Sequence, residues 1–193
     1  RFLNVIILTT ITLSISCKDS STESPAIDYG QLIPLAVNNM WSYKIEVYDS
    51  LGVIIDSREE LHTIIRDTII SGEKWYRYNI PDTYYANRAN GYYKYAGSAI
   101  LEYKYPTNVG DTIITSDGLR REVVSTNKSI IVNNVSYTTY QFKENYQTGT
   151  LDIYWEYYIA PNIGQVRFNA YRRNAQSQYY LRLKFDLIEY KLK

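Results

Sequence analysis

His62 is the only histidine in the chain, and a carboxylate lies close to it in the sequence. Glu60 and His62 would share one face of a β-strand about 7 Å apart, close enough for two metal ligands to converge. No third ligand is identifiable, so we predict no metal site. A Ser-His-Asp site is also disfavoured, because Leu61 and Thr63 place His62 in mid-strand, where a nucleophile elbow is not expected. We predict that His62 is an ordinary strand residue.

Asp152 and Glu156 are a same-face pair of carboxylates within one predicted strand. Glycoside hydrolysis uses two carboxyl groups about 5 to 10 Å apart, whereas these would be about 13 Å apart along a flat strand. Carboxylates on different strands could still meet, so a hydrolase stays open as an alternative. The sequence contains no Gly-rich phosphate loop, no Cys-x-x-Cys pair and no Gly-x-Ser-x-Gly elbow. We therefore predict no catalytic residue, no enzyme activity and no cofactor.

Cys17 is the only cysteine, which excludes an intramolecular disulfide. It follows a mostly apolar run, residues 2–15, of about 14 residues, shorter than the roughly 20 that a transmembrane helix needs and typical of a signal peptide. The end of the run, Leu13-Ser14-Ile15-Ser16-Cys17, resembles the lipobox of bacterial lipoproteins. The resemblance implies removal of a signal peptide, residues 1–16, and lipidation of Cys17. Ordinary secretory cleavage near this point is the alternative.

Residues 17–28 have the composition of a flexible tether between the lipid and the rest of the chain. They are rich in Ser and Thr and lack the apolar residues that folding would require. Lys18-Asp19, directly after the cysteine, resembles the charged export signal of surface lipoproteins in Bacteroidetes. We therefore expect an outer-membrane lipoprotein, held to the membrane by Cys17 and displayed on the cell surface in preference to the periplasmic face.

The remaining residues, 29–193, have the size of one domain with one core. The chain has 21 basic and 20 acidic residues, a balance that argues against a nucleic-acid partner. Its 22 tyrosines favour strands, because each combines an apolar ring with a hydroxyl that tolerates water. The composition therefore favours a β-domain with partly exposed surfaces.

Apolar residues alternate with polar ones after residue 40, and no helical period is sustained. This pattern predicts extended segments at 41–48, 53–68, 74–80, 83–88, 92–95, 99–105, 112–115, 119–126, 129–132, 135–144, 151–159, 165–171 and 178–192. We expect a bend or bulge at residues 58–60, and another bulge near Leu187-Ile188, where the apolar pattern changes phase. Asn90-Gly91 predicts a type I′ hairpin turn, and Asn133-Asn134 a second two-residue turn.

About ten to twelve strands joined by short turns are typical of an all-β, mostly up-and-down antiparallel sheet. A sheet with so many strands must curl, so we predict a strongly curved sheet, half-barrel or barrel, with a two-layer β-sandwich as the alternative. Residues 29–37 could form one short turn that closes an open end.

Residues 34–43, PLAVNNMWSY, resemble the PL-x-x-G-N-x-W-x-Y opening of many uncharacterised secreted lipoproteins of Bacteroidetes. Residues 105–112, YPTNVGDT, and 159–166, IAPNIGQV, are similar to later turns of those proteins. The Gly of the opening is Asn38 here. The resemblance implies location and fold, and it implies no activity, because that group has none assigned.

Outward-facing aromatic side chains are the best candidates for a binding surface. Tyr48, Tyr154 and Tyr158 fall on the predicted outer faces of their strands, where exposed rings could stack on a glycan or on another protein. Further polar contacts could come from Arg167, Arg172 and Arg182. Our leading hypothesis is a lipid-anchored, non-enzymatic binding or structural protein of the cell envelope. The alternatives are a carrier of a lipid or apolar ligand in the concave face of the sheet, and a hydrolase acting on an extracellular glycan.

Overall fold

The computed structural model describes residues 30–148, 151–174 and 176–193. The predicted signal peptide, Cys17 and the tether lie outside these ranges. Within them the chain forms twelve strands. In chain order these are β1 Met40–Tyr48, β2 Ile54–Ile70, β3 Glu73–Tyr78, β4 Tyr84–Arg88, β5 Gly91–Tyr95, β6 Ala99–Lys104, β7 Thr112–Ile114, β8 Arg120–Val132, β9 Val135–Thr148, β10 Leu151–Ala160, β11 Gly164–Arg173 and β12 Tyr179–Lys191.

All twelve strands belong to one antiparallel sheet that is nearly closed into a barrel. Strands β1 to β6 pair in sequence order, as do β7 to β12, and the pairing of β1 with β12 joins the two halves. The edge strands β6 and β7 lie next to each other without a backbone ladder, and we call this gap the seam. The predicted all-β, up-and-down, strongly curved sheet is confirmed. No helix in the described ranges is long and apolar enough to cross a bilayer.

Period-two alternation places the main core on the inner face of the sheet. On β1, Trp41, Tyr43 and Ile45 are buried, whereas Lys44 between them is exposed. A second, smaller cluster of buried side chains, Trp75, Ala86 and Tyr93, lies on the other face of β3 to β5. The inner face therefore provides most of the apolar burial that stabilises the fold.

Irregularities in the pairing register decide which residues face inward. The bulge predicted near Leu187-Ile188 is confirmed, because Tyr43 pairs with Leu187 and Ser42 with Glu189, which leaves Ile188 unpaired. A bulge at residues 58–60 is wrong, since β2 pairs with β1 there without interruption. β2 is irregular at two other places: at Ile55, which is skipped between the pairs of Val47 with Asp56 and of Tyr48 with Ile54, and between Ile64 and Arg66, where pairing with β1 gives way to pairing with β3.

Of the two predicted asparagine-containing turns, one is confirmed and the other is wrong. Asn133 and Asn134 both have positive φ, 48° and 65°, and connect the paired residues Val132 and Val135, as the predicted two-residue turn requires. The type I′ turn at Asn90-Gly91 is wrong. Arg88 pairs with Gly91, so Ala89 and Asn90 form the turn and Gly91 begins β5. The sequence signal failed because the backbone of β6 approaches Gly91 so closely that only glycine fits.

Residues 30–38 pack against one end of the sheet without forming a strand. Leu32, Ile33 and Leu35 are buried in the main core. Two asparagines fix the segment: the backbone N–H of Asn162 donates to Gln31 O at 2.7 Å, and Asn87 Nδ2 donates to Ile33 O at 2.9 Å. The expectation that this part of the chain closes an end of the sheet agrees with this packing.

Candidate functional site

Aromatic side chains surround a cavity of about 270 Å³ inside the sheet, which we call the aromatic cavity. Consecutive rings from eight different strands lie with their centroids 4.9 to 6.3 Å apart. In order around the interior, the contacts run Trp41, Tyr78, Tyr85, Tyr92, Tyr103, Tyr157, Phe168, Phe185 and Tyr43. Aromatic pairs at such distances add attraction beyond the area that they bury, so these ring contacts stabilise the cavity wall.

The tyrosine hydroxyls in this wall are neutral hydrogen-bonding groups. The hydroxyl of Tyr43 donates to Gln165 O at 2.9 Å, and Tyr78 and Tyr92 hydrogen-bond each other. Among the described residues, no hydrogen bond involves the hydroxyl of Tyr85 or of Tyr103. Burial raises the pKa of all of these hydroxyls above the ordinary tyrosine value, so they stay protonated at neutral pH.

Arg121 is a buried cation in the wall of the cavity. Its Nε and Nη2 lie 2.7 and 2.6 Å from Glu144 Oε2, and its Nη1 donates to the backbone oxygen of Glu102 at 2.6 Å. The guanidinium carbon lies 4.4 Å from the ring centroid of Tyr103 and 4.5 Å from that of Tyr157. Burial raises the pKa of Glu144 although Arg121 opposes the shift. Arg121 thus bridges β8, β9 and β6 across the seam.

The carboxylate of Glu102 also lines the cavity, and its partners are weaker. Glu102 is 8% exposed. Its Oε1 accepts from the backbone N–H of Ser116 at 3.2 Å, and its Oε2 lies 3.4 Å from Arg121 Nη1. The side-chain oxygen of Ser116 is buried and has no partner among the described residues. The cavity wall therefore contains polar groups with unused hydrogen-bonding capacity.

His62, Ile80, Pro81 and Asp117 line the cavity near its exposed side. His62 lies in β2 opposite Trp41, as its predicted mid-strand position requires, and its Nε2 lies 2.8 Å from Glu60 Oε1. The described ranges contain no group of three His, Cys, Asp or Glu side chains placed to hold a metal ion. His62 is thus a residue of the cavity rim that is paired with a carboxylate.

The structure separates the residues predicted to form an outer binding surface. Tyr158 was expected to be exposed, and this is wrong: it is 8% exposed, and its hydroxyl donates to Glu156 at 3.0 Å. The hydroxyl of Tyr48 donates to Glu46 at 2.6 Å. Arg167 is bound to Asp186 through Nε at 2.5 Å and Nη2 at 3.0 Å. Each of these side chains is therefore already hydrogen-bonded to a carboxylate of the same chain.

Tyr154 is also covered by its neighbours. Its ring stacks on Tyr171 with centroids 4.4 Å apart, and Lys143 Nζ lies 4.2 Å from its centroid. Little ring surface is left for stacking on a sugar. A binding role for Tyr48, Tyr154, Tyr158 and Arg167 stays a prediction, although these rings do not form one flat exposed platform.

The carboxylates considered for hydrolysis have other partners. Asp152 accepts from the hydroxyl of Tyr179 at 2.6 Å and lies 3.1 Å from Arg173 Nη1. Glu156 accepts from Tyr158 and from Gln141. Neither is positioned with the other as a pair.

Sequence reasoning offered a ligand site in the concave face of the sheet as an alternative, but it missed the residues that line the aromatic cavity and it missed the Arg121 cluster. The available signal was the density of tyrosines between residues 76 and 105, together with Arg121 two residues before the inward-facing Val123. Alternation along one strand could suggest a face for these residues, but it could not show that they meet.

A solved structure shares this fold. The chain is similar to a crystal structure of a candidate exported protein with a YmcC-like fold from Bacteroides fragilis, with a TM-score of 0.54 and 12% identity over 84% of this chain and 100% of that one. A candidate lipoprotein from Parabacteroides distasonis gives a TM-score of 0.46 and 14% identity over 84% of this chain and 99% of that one. No protein-family model matches the sequence, and no curated protein matches it. At these identities the likeness describes the fold alone.

Proposed function

We propose that this protein is a lipid-anchored, non-enzymatic protein of the cell envelope that binds a small ligand in the aromatic cavity. Lipid on Cys17 would hold it to the outer membrane, and the charged residues that follow would direct it to the cell surface. The lipobox-like residues before Cys17 support the anchor. The Bacteroides fragilis protein of similar fold, described as a candidate exported protein, is compatible with this location.

The observation that supports ligand binding is the cavity itself. It has a volume of about 270 Å³, it is lined by six tyrosines, and two of their hydroxyls have no partner within the described residues. Ligand sites are concave, mostly aromatic and apolar, and contain a few polar groups that fix orientation. A long lipid chain is less well supported, because drug-sized and larger ligands occupy cavities of about 300 Å³ or more. A hydrolase is also less well supported, because the acidic residues considered for it are bound to other side chains.

Metabolic labelling tests the anchor. Radiolabelled palmitate should be incorporated into the full precursor in a Bacteroidetes host, and Cys17→Ser should abolish labelling. Label that persists in Cys17→Ser, or an unlabelled wild-type protein, would contradict a lipid on this residue.

Calorimetric titration of the full chain in detergent tests the cavity. The probes are phenol, choline and 3,3-dimethylbutan-1-ol, the neutral carbon analogue of choline. At least one should bind with a stoichiometry of one. His62→Trp should block the rim and weaken binding about tenfold or more, whereas His62→Ala should retain it. Failure of all three probes to bind, or equal binding to both variants, would overturn the cavity as the site.

A further inference from the structure

The buried cluster of Glu102, Arg121 and Glu144, of which Glu102 and Arg121 line the aromatic cavity, contains more carboxylates than cations. Glu102 and Glu144 are two buried carboxylates, and Arg121 is the one buried cation among the described residues near them. Arg121 makes its short charged contacts, 2.6 and 2.7 Å, with Glu144 and only a 3.4 Å contact with the Glu102 carboxylate. Buried charges are ordinarily paired, because leaving an ion without a partner in a low-dielectric interior costs several kcal/mol. The cavity-lining Glu102 is therefore the carboxylate that lacks a close counter-ion.

The rim does not supply the missing charge. Asp117 adds another carboxylate there, and its nearest cation, Lys94 Nζ, lies 3.9 Å away. The lining residues include no lysine, and Arg121 is their only arginine. A positive ligand would therefore meet a wall with more carboxylates than cations.

The aromatic wall favours the same kind of ligand. A cation within about 6 Å of an aromatic centroid is attracted by the negative face of the ring, and several rings together form a cage for ammonium groups. Arg121 already uses Tyr103 and Tyr157 in this way, which shows that this wall accommodates a desolvated cation. Trp41, Tyr78, Tyr85 and Tyr92 line the rest of the cavity. The hydroxyl of Tyr103, a residue 8% exposed, is without a partner among the described residues and can accept a hydrogen bond from a ligand.

We propose that the aromatic cavity takes a small organic cation, an amine or a quaternary ammonium, with Glu102 as its counter-ion. This inference rests on the proposed ligand-binding function and narrows it to one chemical class. An anion would face repulsion from Glu102 and Asp117. A neutral ligand would leave the charge of Glu102 unbalanced.

Comparison of choline with 3,3-dimethylbutan-1-ol isolates the charge, because the two molecules have nearly the same shape. In calorimetric titrations of the full chain at pH 7, choline should bind about tenfold or more tightly than the neutral analogue. Equal affinities would overturn the cation and leave a ligand-binding cavity in place. If phenol binds but neither choline nor 3,3-dimethylbutan-1-ol does, the cation is likewise overturned and the ligand-binding cavity stays in place.

Substitution of the counter-ion provides the second comparison. Glu102→Gln should weaken choline binding about tenfold or more and leave the affinity for 3,3-dimethylbutan-1-ol unchanged. Glu122→Gln, which makes the same charge change at an exposed position of β8, should alter neither affinity. Wild-type affinity for choline in Glu102→Gln would mean that Glu102 is not the counter-ion of the ligand, and it would overturn the proposal.

A ring variant keeps the test valid if Glu102→Gln does not fold. Tyr85→Phe retains the ring and should bind choline about tenfold more tightly than Tyr85→Leu, which removes it. Equal choline affinity in these two variants would contradict a cation held by the aromatic wall.

Discussion

Arg121 combines, in one side chain, three roles that the backbone cannot fill at the seam. It donates to the backbone oxygen of Glu102 on edge strand β6, it pairs with Glu144 on β9, and it packs between the rings of Tyr103 and Tyr157. Arginine suits such a place because its planar guanidinium offers five donors and stacks on aromatic rings. A side chain thus replaces the backbone ladder that β6 and β7 do not form.

Arg121→Met should destabilise the protein by about 3 kcal/mol or more at pH 7. The substitution leaves the buried carboxylate of Glu144 without its cation and removes the 3.4 Å contact with Glu102, and breaking a buried ion pair from one side costs about 3 to 5 kcal/mol. Urea unfolding measures the change. The neighbouring Arg120 is exposed, so Arg120→Met should cost less than about 0.5 kcal/mol. Similar losses of unfolding free energy in the two variants would mean that the buried contacts of Arg121 do not stabilise the protein.

At the scale of elements, the loop from β6 to β7 is held by a single carboxylate. Asp111 Oδ2 accepts from Lys104 Nζ at 2.8 Å, from the Thr107 hydroxyl at 2.9 Å and from the Asn108 backbone N–H at 3.0 Å. The hydrogen bond from Lys104, followed by those from Asn108 and Thr107, lowers the pKa of Asp111 to about 2. The loop that carries the chain across the seam therefore depends on an ionised aspartate.

Acid should weaken this loop in a defined pH range. Because the folded-state pKa of Asp111 lies below the unfolded value of about 3.9, its contribution is fully present above about pH 4 and is lost as the pH falls towards 2. Asp111→Asn should lower the thermal midpoint at pH 7 and reduce the further decrease between pH 4 and 2. Lys104→Met should have a similar effect, and the double variant should lose little more than either single one. Unchanged acid dependence in Asp111→Asn would refute this assignment.

The turn from β4 to β5 depends on a close approach of two backbones. A Cβ on Gly91, whose φ is +151°, would lie 2.2 Å from the Tyr103 backbone oxygen and 2.7 Å from Leu101 Cδ1. Gly97 also has positive φ, +79°, but a Cβ there would meet nothing within 4 Å. Substituting these two glycines therefore separates the cost of a positive φ, which both would suffer, from the cost of steric overlap, which only Gly91 would suffer.

Gly91→Ala should cost about 3 kcal/mol or more, because overpacking and an unfavourable φ act together. Gly97→Ala should cost about 1 kcal/mol, since it suffers the φ penalty alone. Chemical denaturation of both variants gives the comparison. If Gly97→Ala were as damaging as Gly91→Ala, the close approach of β6 to Gly91 would not be the cause.

At the scale of the whole molecule, two meanders become one sheet at β1 and β12, and residues 30–38 pack across one end. This segment contacts both meanders, through Asn87 on β4 and Asn162 in the turn from β10 to β11. Leu32 is 1% exposed although it belongs to no strand. The segment is therefore part of the folded core and connects its halves.

Leu32→Ala should destabilise the whole molecule by about 2 to 5 kcal/mol, the usual cost of truncating a buried leucine. Leu51, which is 86% exposed in the turn from β1 to β2, provides the control, and Leu51→Ala should change the unfolding free energy by less than about 0.5 kcal/mol. Guanidinium unfolding followed by circular dichroism measures both. Loss of signal in two separate transitions in Leu32→Ala would show that the halves unfold independently.

The sequence by itself determined the strands, the inward face of β1 and the bulge at Ile188. These features follow from local chemistry: side chains alternate with a period of two, a change of phase requires an extra residue, and Asn133-Asn134 tolerates positive φ. The amino-acid composition also favoured the fold class, since the many tyrosines are typical of a β-domain.

Only the tertiary structure decided which distant residues meet. Arg121 lies 19 residues from Glu102 and 23 from Glu144, and their contact depends on the seam between β6 and β7. Alternation placed Tyr158 on the outer face of its strand but could not show that its neighbours bury it. The physical reason is that period two fixes a face for each residue, whereas curvature, closure and bulges fix what lies opposite that face. The aromatic cavity exists because the sheet closes, and no single strand encodes that closure.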